Sequence, residues 1–460
     1  MASRSHTEEQ GSHTDDQRPR SFHASPAEAA EAPPERLLYL ACTREGIGVD
    51  EPDFIAVVDA DPDSGSYGEV VGETPMPNVG DELHHFGWNR CSSACHGPDR
   101  SHLIVPGFRS SRIHILNVAD DPGRPRIEKV IEPEELADET GYSRPHTVHC
   151  MPGDNVVVSM LGDRDGGGAG GFACLDARTF EVKGRWENGG PRPELNYDFW
   201  YQPRKNVLIS SEFGEPNAYE PGFDIEDVAA GRYGQRLHFW DLAERRLEQT
   251  LDLGEAGLVP LEVRWLHDPE AEEGFVGAAL ASNMFRFHRS NGGFQADPVI
   301  DVENEELEGW PLPGGVPGLI TDLVVSMDDR FLYFSNWLHG DLRQYDVSDP
   351  EHPKLTGRLW LGGLLGRESD AGRELNGGPQ MLQLSLDGRR LYVTNSLYST
   401  WDNQFYPELR SWLLKVDCDP DGGMKVDRDF FVDFHERSGG PARAHEVRIG
   451  GGDCTTEIFQ

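Results

Sequence analysis

The stretch RFLYFSNWLHGDLRQYDVSDPEHPKLTGRLWL (330–361) reads as three short strands in succession. A β-rich run, FLYFSN, gives way to a Gly-Asp turn. A second run ends in an aromatic residue followed by Asp, and a polar Asp-Pro turn leads into a third. The same order recurs in LLYLACT…DFIAVVDADPDSGSYGEVV (37–71), SHLIVPG…SRIHILNVADDPGRPRIEKVI (101–131) and NVVVSMLGD…GGFACLDARTFEVKGRWE (155–187). It returns in NVLISSEF…QRLHFWDLAERRLEQTL (206–251), GFVGAALASNMFRFHRSNGGFQADPVI (274–300) and RRLYVTNSLYS…SWLLKVDCDPDGGMKVDRDFFVDF (389–434). One sheet of this size cannot bury both faces. Seven stacked around an axis can, and only short edges remain. The repeats therefore predict an all-β, seven-bladed β-propeller over residues 36–460, with a pair of β-sandwiches or a β-rich multidomain chain as the alternative. Gly/Pro-rich inserts at 162–171, 311–318 and 361–379 are expected on the rims.

Composition narrows the class. Lys and Arg total 42 against 80 Asp and Glu, a net charge of -38. Only six of the cations are lysines (129, 183, 205, 354, 415 and 425). Such a field repels nucleic acid and anionic membranes, which both need a basic patch. An acidic chain poor in Lys points to adaptation to a salt-saturated (halophilic) cytoplasm rather than to a merely acidic protein. The seven cysteines show no regular framework, so a disulfide scaffold is not expected. No apolar run reaches the length of a signal-peptide core or a membrane span, so the expected location is cytoplasmic. Residues 1–35 hold little to bury and are expected to be a disordered polar tail.

The candidates for chemistry are histidines in short, unusual contexts. DELHHFGWNRCSSAC carries His84, His85, Cys91 and Cys95; RPHTVHC carries His146 and His149. His267 lies in WLHDP, His339 in NWLHGD and His445 in ARAHEVR. Each precedes or opens a repeat, where the innermost strand of a blade would line the central channel. Residues far apart in sequence can then converge on one transition-metal ion. Glu82 and Glu446 are adjacent carboxylates able to orient an imidazole. In a regular strand neighbours face opposite ways, so His84 and His85 can both point inward only at a bulge or turn. Each histidine alone also fits a hydrogen-bonded loop or core position. Cys91 and Cys95 are four apart beside imidazoles, a spacing that suits Zn, Cu(I) or a redox disulfide as well as simple packing of a turn. The glycine run GDRDGGGAGG (162–171) lacks a phosphate-binding arrangement, and no G-x-S-x-G or HExxH occurs. The aromatic run YDFWYQPR (197–204) is expected to cap a blade.

PMPNVGDELHHFGWN (75–89), KVIEPEEL (129–136), PGLITDLVVSMDDRFLYFSNWLHGDLRQYDVSDP (317–350), GGPQMLQLSLDGRRLYVTNSLYSTWDNQFYP (377–407) and AHEVRIGGGDC (444–454) closely resemble the selenium-binding protein/methanethiol oxidase family. The resemblance runs from about 36 to 460. It implies a seven-bladed propeller with a copper-linked activity that turns methanethiol, O2 and water into formaldehyde, hydrogen sulfide and hydrogen peroxide. The matching histidines are His84, His85, His146, His149 and His445, with His267 and His339 in reserve. Glu82 or Glu446 would move protons. Cys91 and Cys95 stand where animal members carry C-S-S-C, with Ala94 as an added residue, and would be the thiol or selenium contacts. The cysteine proposed to hold selenium in animal members falls near Tyr67-Gly68 here, where no Cys is present. The implied partners are a small thiol and O2, on a monomer or small homo-oligomer. Two other classes remain open: a non-catalytic selenium or metal carrier, and a calcium-dependent propeller lactonase, whose metal would favour oxygen ligands.

Overall fold

The computed structural model describes residues 22–91, 100–311, 314–437 and 439–460. Seven four-stranded antiparallel sheets follow one another along the chain. The first is β1 (Leu37–Thr43), β2 (Phe54–Asp59) and β3 (Val70–Pro75), completed from the far end of the chain by β28 (Arg443–Ile449). The others are β4–β7 (from 87 to 131), β8–β11 (142 to 185), β12–β15 (199 to 252), β16–β19 (260 to 301), β20–β23 (320 to 360) and β24–β27 (382 to 433). Each sequence repeat corresponds to the outer three strands of a blade. The innermost strand precedes the repeat, and in the first blade β28 supplies it and closes the ring.

Burial follows radial position. The inner strand β16 (Pro260–Trp265) is buried at every residue, whereas the outermost strand β15 (Arg246–Asp252) alternates exposed and half-buried positions. Only the outer edge of each sheet meets water, so only there does a period of two survive in the sequence. Apolar clusters fill the spaces between blades. One joins Phe199, Trp240, Trp265 and Phe287, another Tyr333, Leu342, Leu391 and Val416.

Of the disordered tail expected over 1–35, residues 22–35 are ordered against the propeller. Residues 1–21 lie outside the described set, but Ser25 caps a short helix α1 (Pro26–Ala30), its Oγ accepting from the Glu28 amide at 3.2 Å. Ala29 is fully buried against the last blade. Glu35 accepts from Arg390 Nε at 2.7 Å and from the Tyr392 hydroxyl at 2.5 Å. Three alanines, the buried His23 and the Glu35–Arg390 ion pair dock the segment, too little apolar surface to register in a compositional reading. No helix of the described residues is long and apolar enough to cross a membrane.

Ion pairs cannot neutralise a surplus of 38 negative charges. The Debye length contracts from about 10 Å at 0.1 M salt to about 3 Å at 1 M. The Tm is therefore expected to rise by several degrees between 0.1 and 2 M KCl in scanning calorimetry. A Tm that stays flat or falls over that range removes the salt-adapted reading.

Candidate metal centre

Five of the seven innermost strands, or the segments leading into them, share one irregularity. Between β28 and β1 the pairs Leu40↔Val447 and Cys42↔Ala444 set three steps against two, so His445–Glu446 form a bulge. Pro145↔Met160 and Val148↔Val158 do the same at His146–Thr147 on β8 (Tyr142–Met151), and Pro260↔Ala278 and Val263↔Val276 at Leu261–Glu262. A further bulge lies at Thr321 on β20 (Ile320–Val325). Ahead of β4 (Gly87–Trp88), Leu83↔Gly107 and Gly87↔Ile104 set four steps against three across His84, His85 and Phe86. In four blades a residue with left-handed backbone stands two positions before the bulged one: Glu82 (φ 53), Arg144 (φ 60), Val259 (φ 60) and Leu319 (φ 55). This conformation is costly for non-glycine residues, most of all for a β-branched Val. Its repetition re-aims His84, His146, Leu261 and Thr321 at one level of the axis.

His84, His85, His146 and His445 meet there. The His84 and His445 rings stack with centroids 3.6 Å apart, and those of His85 and His146 lie 3.9 Å apart. A donor atom from each of His84, His85 and His146 lies within 4.8 Å of the other two. Outer partners set the ring orientations. Thr147 donates its hydroxyl to Asp198 Oδ1 at 2.8 Å, so it accepts from His146 Nδ1 at 3.0 Å. His445 Nδ1 donates to the Ser396 carbonyl at 2.8 Å. In both rings the proton is held on Nδ1 and the Nε2 lone pair faces away from it. The buried Nε2 atoms of His85, His146 and His445 have no hydrogen-bond partner. An unmet buried polar atom costs about 1–3 kcal/mol, so three in one place call for a shared cation. Burial holds all four rings neutral, the state in which imidazole binds metal. It depresses the pKa of His146 and His445 to about 3, and that of His84 and His85 well below the ordinary value with help from neighbouring imidazoles.

Carboxylates flank His85 on both sides. Glu446 Oε1 lies 3.6 Å from Nδ1 and also takes Arg448 Nη2 at 2.5 Å, while burial pushes its pKa up to about 8. Glu262 Oε1 lies 3.7 Å from Nε2 and is itself without a hydrogen-bond partner. Its other oxygen accepts from Arg264 Nη2 at 2.9 Å, and Arg264 Nη1 reaches Asp198 Oδ2 at 2.8 Å.

The inner strands all run away from an apolar pocket that opens beside His84. Val259, Leu261, Leu319 and Thr321, at or before the strand starts, line it together with Phe108 and Trp401, within a volume of about 430 Å³ that includes its mouth. At the opposite end the channel is filled by residues 453–459, all buried. His267 Nε2 donates to the Cys454 carbonyl at 2.8 Å, Arg448 Nη1 donates to Thr455 Oγ1 at 2.7 Å, and Arg100 pairs with Glu457.

Residues 16–460 match the sequence profile of the 56kDa selenium binding protein family (SBP56). The chain belongs to the 56 kDa selenium-binding protein family. A "Methanethiol oxidase" of Xenopus laevis is 50% identical over 95% of this chain and 98% of its own length. "Selenium-binding protein 1" of Arabidopsis thaliana is 47% identical over 95% and 94%. The crystal structure of a hypothetical selenium-binding protein from Sulfolobus tokodaii superposes with a TM-score of 0.91, covering 96% of this chain and 100% of that one at 47% identity.

In this member of the family the remaining candidate residues sit apart from the four-histidine cluster. His149, on β8 beyond the bulge, lies edge-on to Phe199 and Trp200, with centroids 5.1 and 5.0 Å away. His267 has both ring nitrogens engaged, Nδ1 with Asp329 Oδ1 at 3.1 Å and Nε2 with Cys454. His339 donates Nε2 to the Val316 carbonyl at 2.8 Å. Glu82 has its oxygens taken by Arg109 Nε at 2.8 Å and the Ser399 amide at 2.6 Å. Cys91 is buried, and its amide donates to Cys150 Sγ at 2.9 Å; Cys95 lies outside the described residues. Glu262 escaped the sequence reading. Its signal was the run PLEVRW, where Glu and Arg two apart share one face of an otherwise apolar strand.

Proposed function

We propose that this chain is a copper-dependent oxidase of methanethiol. One molecule each of methanethiol, O2 and water gives one each of formaldehyde, hydrogen sulfide and hydrogen peroxide, with two electrons passing from the thiol's carbon to O2. The reading is carried by the three unpartnered Nε2 atoms beside an apolar pocket, and the name of the Xenopus relative supports it. His84, His85, His146 and His445 would hold the metal. All four donors are imidazole nitrogen, a set that suits copper and not calcium. Copper bound there would supply a thiophilic centre able to cycle by single electrons between thiol and O2. The protein's own groups do the rest. Thr147, Asp198 and Ser396 hold the rings. Tyr197, with its ring 4.2 Å from that of His146, and Phe108 keep bulk water from the reacting atoms. Glu446, 3.6 Å from His85 Nδ1, is better placed to exchange protons than Glu82, whose carboxylate is held by Arg109.

The test is metal analysis of purified protein with parallel assays of methanethiol loss, sulfide, peroxide and formaldehyde. Copper bound in stoichiometric amount is expected, with activity lost on chelation and regained on copper addition. Full activity in copper-free protein, or none in copper-loaded protein, sinks the reading. Retention of selenium without turnover would favour a carrier instead.

A further inference from the structure

The bulged positions lie in five of the seven blades and divide into two kinds. Those at His84, His146 and His445 present imidazole, while those at Leu261 and Thr321 form a wall of the pocket beside His84. The strained residues Val259 and Leu319, two positions earlier, line the same pocket. Backbone strain repeated at ligand-bearing and apolar positions alike marks both as parts of one site.

Among the described residues, no Asp, Glu, Lys or Arg lines the pocket. Its polar atoms are largely spent on the protein. Tyr398 donates its hydroxyl to the Tyr219 carbonyl, which also accepts Trp401 Nε1 at 3.3 Å. Thr321 Oγ1 pairs with Ser335 Oγ at 3.1 Å. The Tyr219 carbonyl thus ties the helical turn Pro216–Tyr219 to the segment leading into the helix Ser399–Phe405, and the two form a fixed aromatic roof. A ligand group bearing a carboxylate or ammonium would lose its hydration here and gain no partner, whereas an alkyl group would lose nothing.

Ala279 also lines the pocket. We infer that this pocket is the subsite for the alkyl group of the substrate, that Leu261 and Ala279 set the size it admits, and that the site takes short, uncharged alkyl thiols while rejecting cysteine-like ones. The inference rests on the oxidase reading above, but the pocket can be tested without turnover. Dimethyl sulfide presents the alkyl groups and sulfur without an oxidisable S–H. Ligand-observed saturation-transfer NMR on the full-length protein, with and without copper, should show it bound to the wild type. Binding should weaken at least about tenfold in Ala279→Leu, which fills the pocket. Leu261→Ala, which enlarges it, should bind dipropyl sulfide more tightly than the wild type does. The same variant should raise the ratio of 1-propanethiol to methanethiol turnover by at least about tenfold. Cysteine should stay at background in every variant. Circular dichroism establishes that each variant folds, and if Ala279→Leu does not, Leu261→Ala decides alone. Unaltered thioether binding in the variants overturns the pocket assignment even if methanethiol is oxidised. Inactivity toward every thiol with the expected thioether pattern overturns the oxidase reading and leaves the pocket standing.

Discussion

Exchanging His146 for leucine is expected to lower copper affinity and methanethiol turnover together while making the metal-free protein more stable. The two effects have opposite signs because His146 Nε2 is buried without a partner. An imidazole that served only the fold would have that nitrogen bonded, as His267 has both of its own. Removing a structural histidine of that kind costs about 1–3 kcal/mol. Removing His146 should instead relieve an unmet polar atom, with a gain on the order of 1 kcal/mol. Groups that merely orient metal ligands alter affinity by about 10–100-fold when replaced, so loss of a ligand itself should exceed about 100-fold. Asp198→Asn, which acts through Thr147, belongs in the lower range. Urea unfolding of chelated protein and copper titration of the same sample provide both readouts. A destabilised His146→Leu protein that still binds copper normally would show the ring to be a core residue.

Much of the ring was legible because the outer three strands of each blade keep their turns and polar edges in sequence. The inner strands were not, for a physical reason. β4 spans two residues and β24 (Leu382–Leu384) three, and both are buried throughout, so neither leaves a periodic trace. Ring closure through β28 depends on a pairing between residues some 400 positions apart, which no local pattern encodes. At the centre, residue type was readable and direction was not. His146 and His149 share a strand and a chemistry, yet the bulge at His146–Thr147 aims one at the axis, and the other packs on Phe199 and Trp200. Requiring a bulge for His84 and His85 to face inward together was sound, since an extra residue does lie between Leu83 and Gly87. Glu262 was invisible for the opposite reason, as a single acid inside an apolar strand whose meaning depends on His85 standing 3.7 Å away.

Deleting residues 453–460 is expected to destabilise the propeller far more than the loss of eight residues at an exposed chain end would. Ile458 and Phe459 are each 3% exposed and pack into different inter-blade clusters, so the segment bridges the two. Truncating one buried Phe costs about 3–5 kcal/mol. The deletion also strips Glu457 from Arg100, whose side chains are both buried, and breaking a buried pair from one side costs about 3–5 kcal/mol more. Against a net stability of about 5–15 kcal/mol for a folded protein, the two losses are comparable to the whole. The truncated chain should therefore unfold at a much lower urea concentration or fail to accumulate. Phe459→Ala and Glu457→Ala, each carrying one loss, should remain folded with lowered midpoints. Because the segment closes the channel opposite the pocket, both should also speed chelation of copper held as proposed above. Unchanged midpoints in the two single variants would mean that the ring holds together through its sheets alone and that residues 453–459 merely occupy the end of the axis.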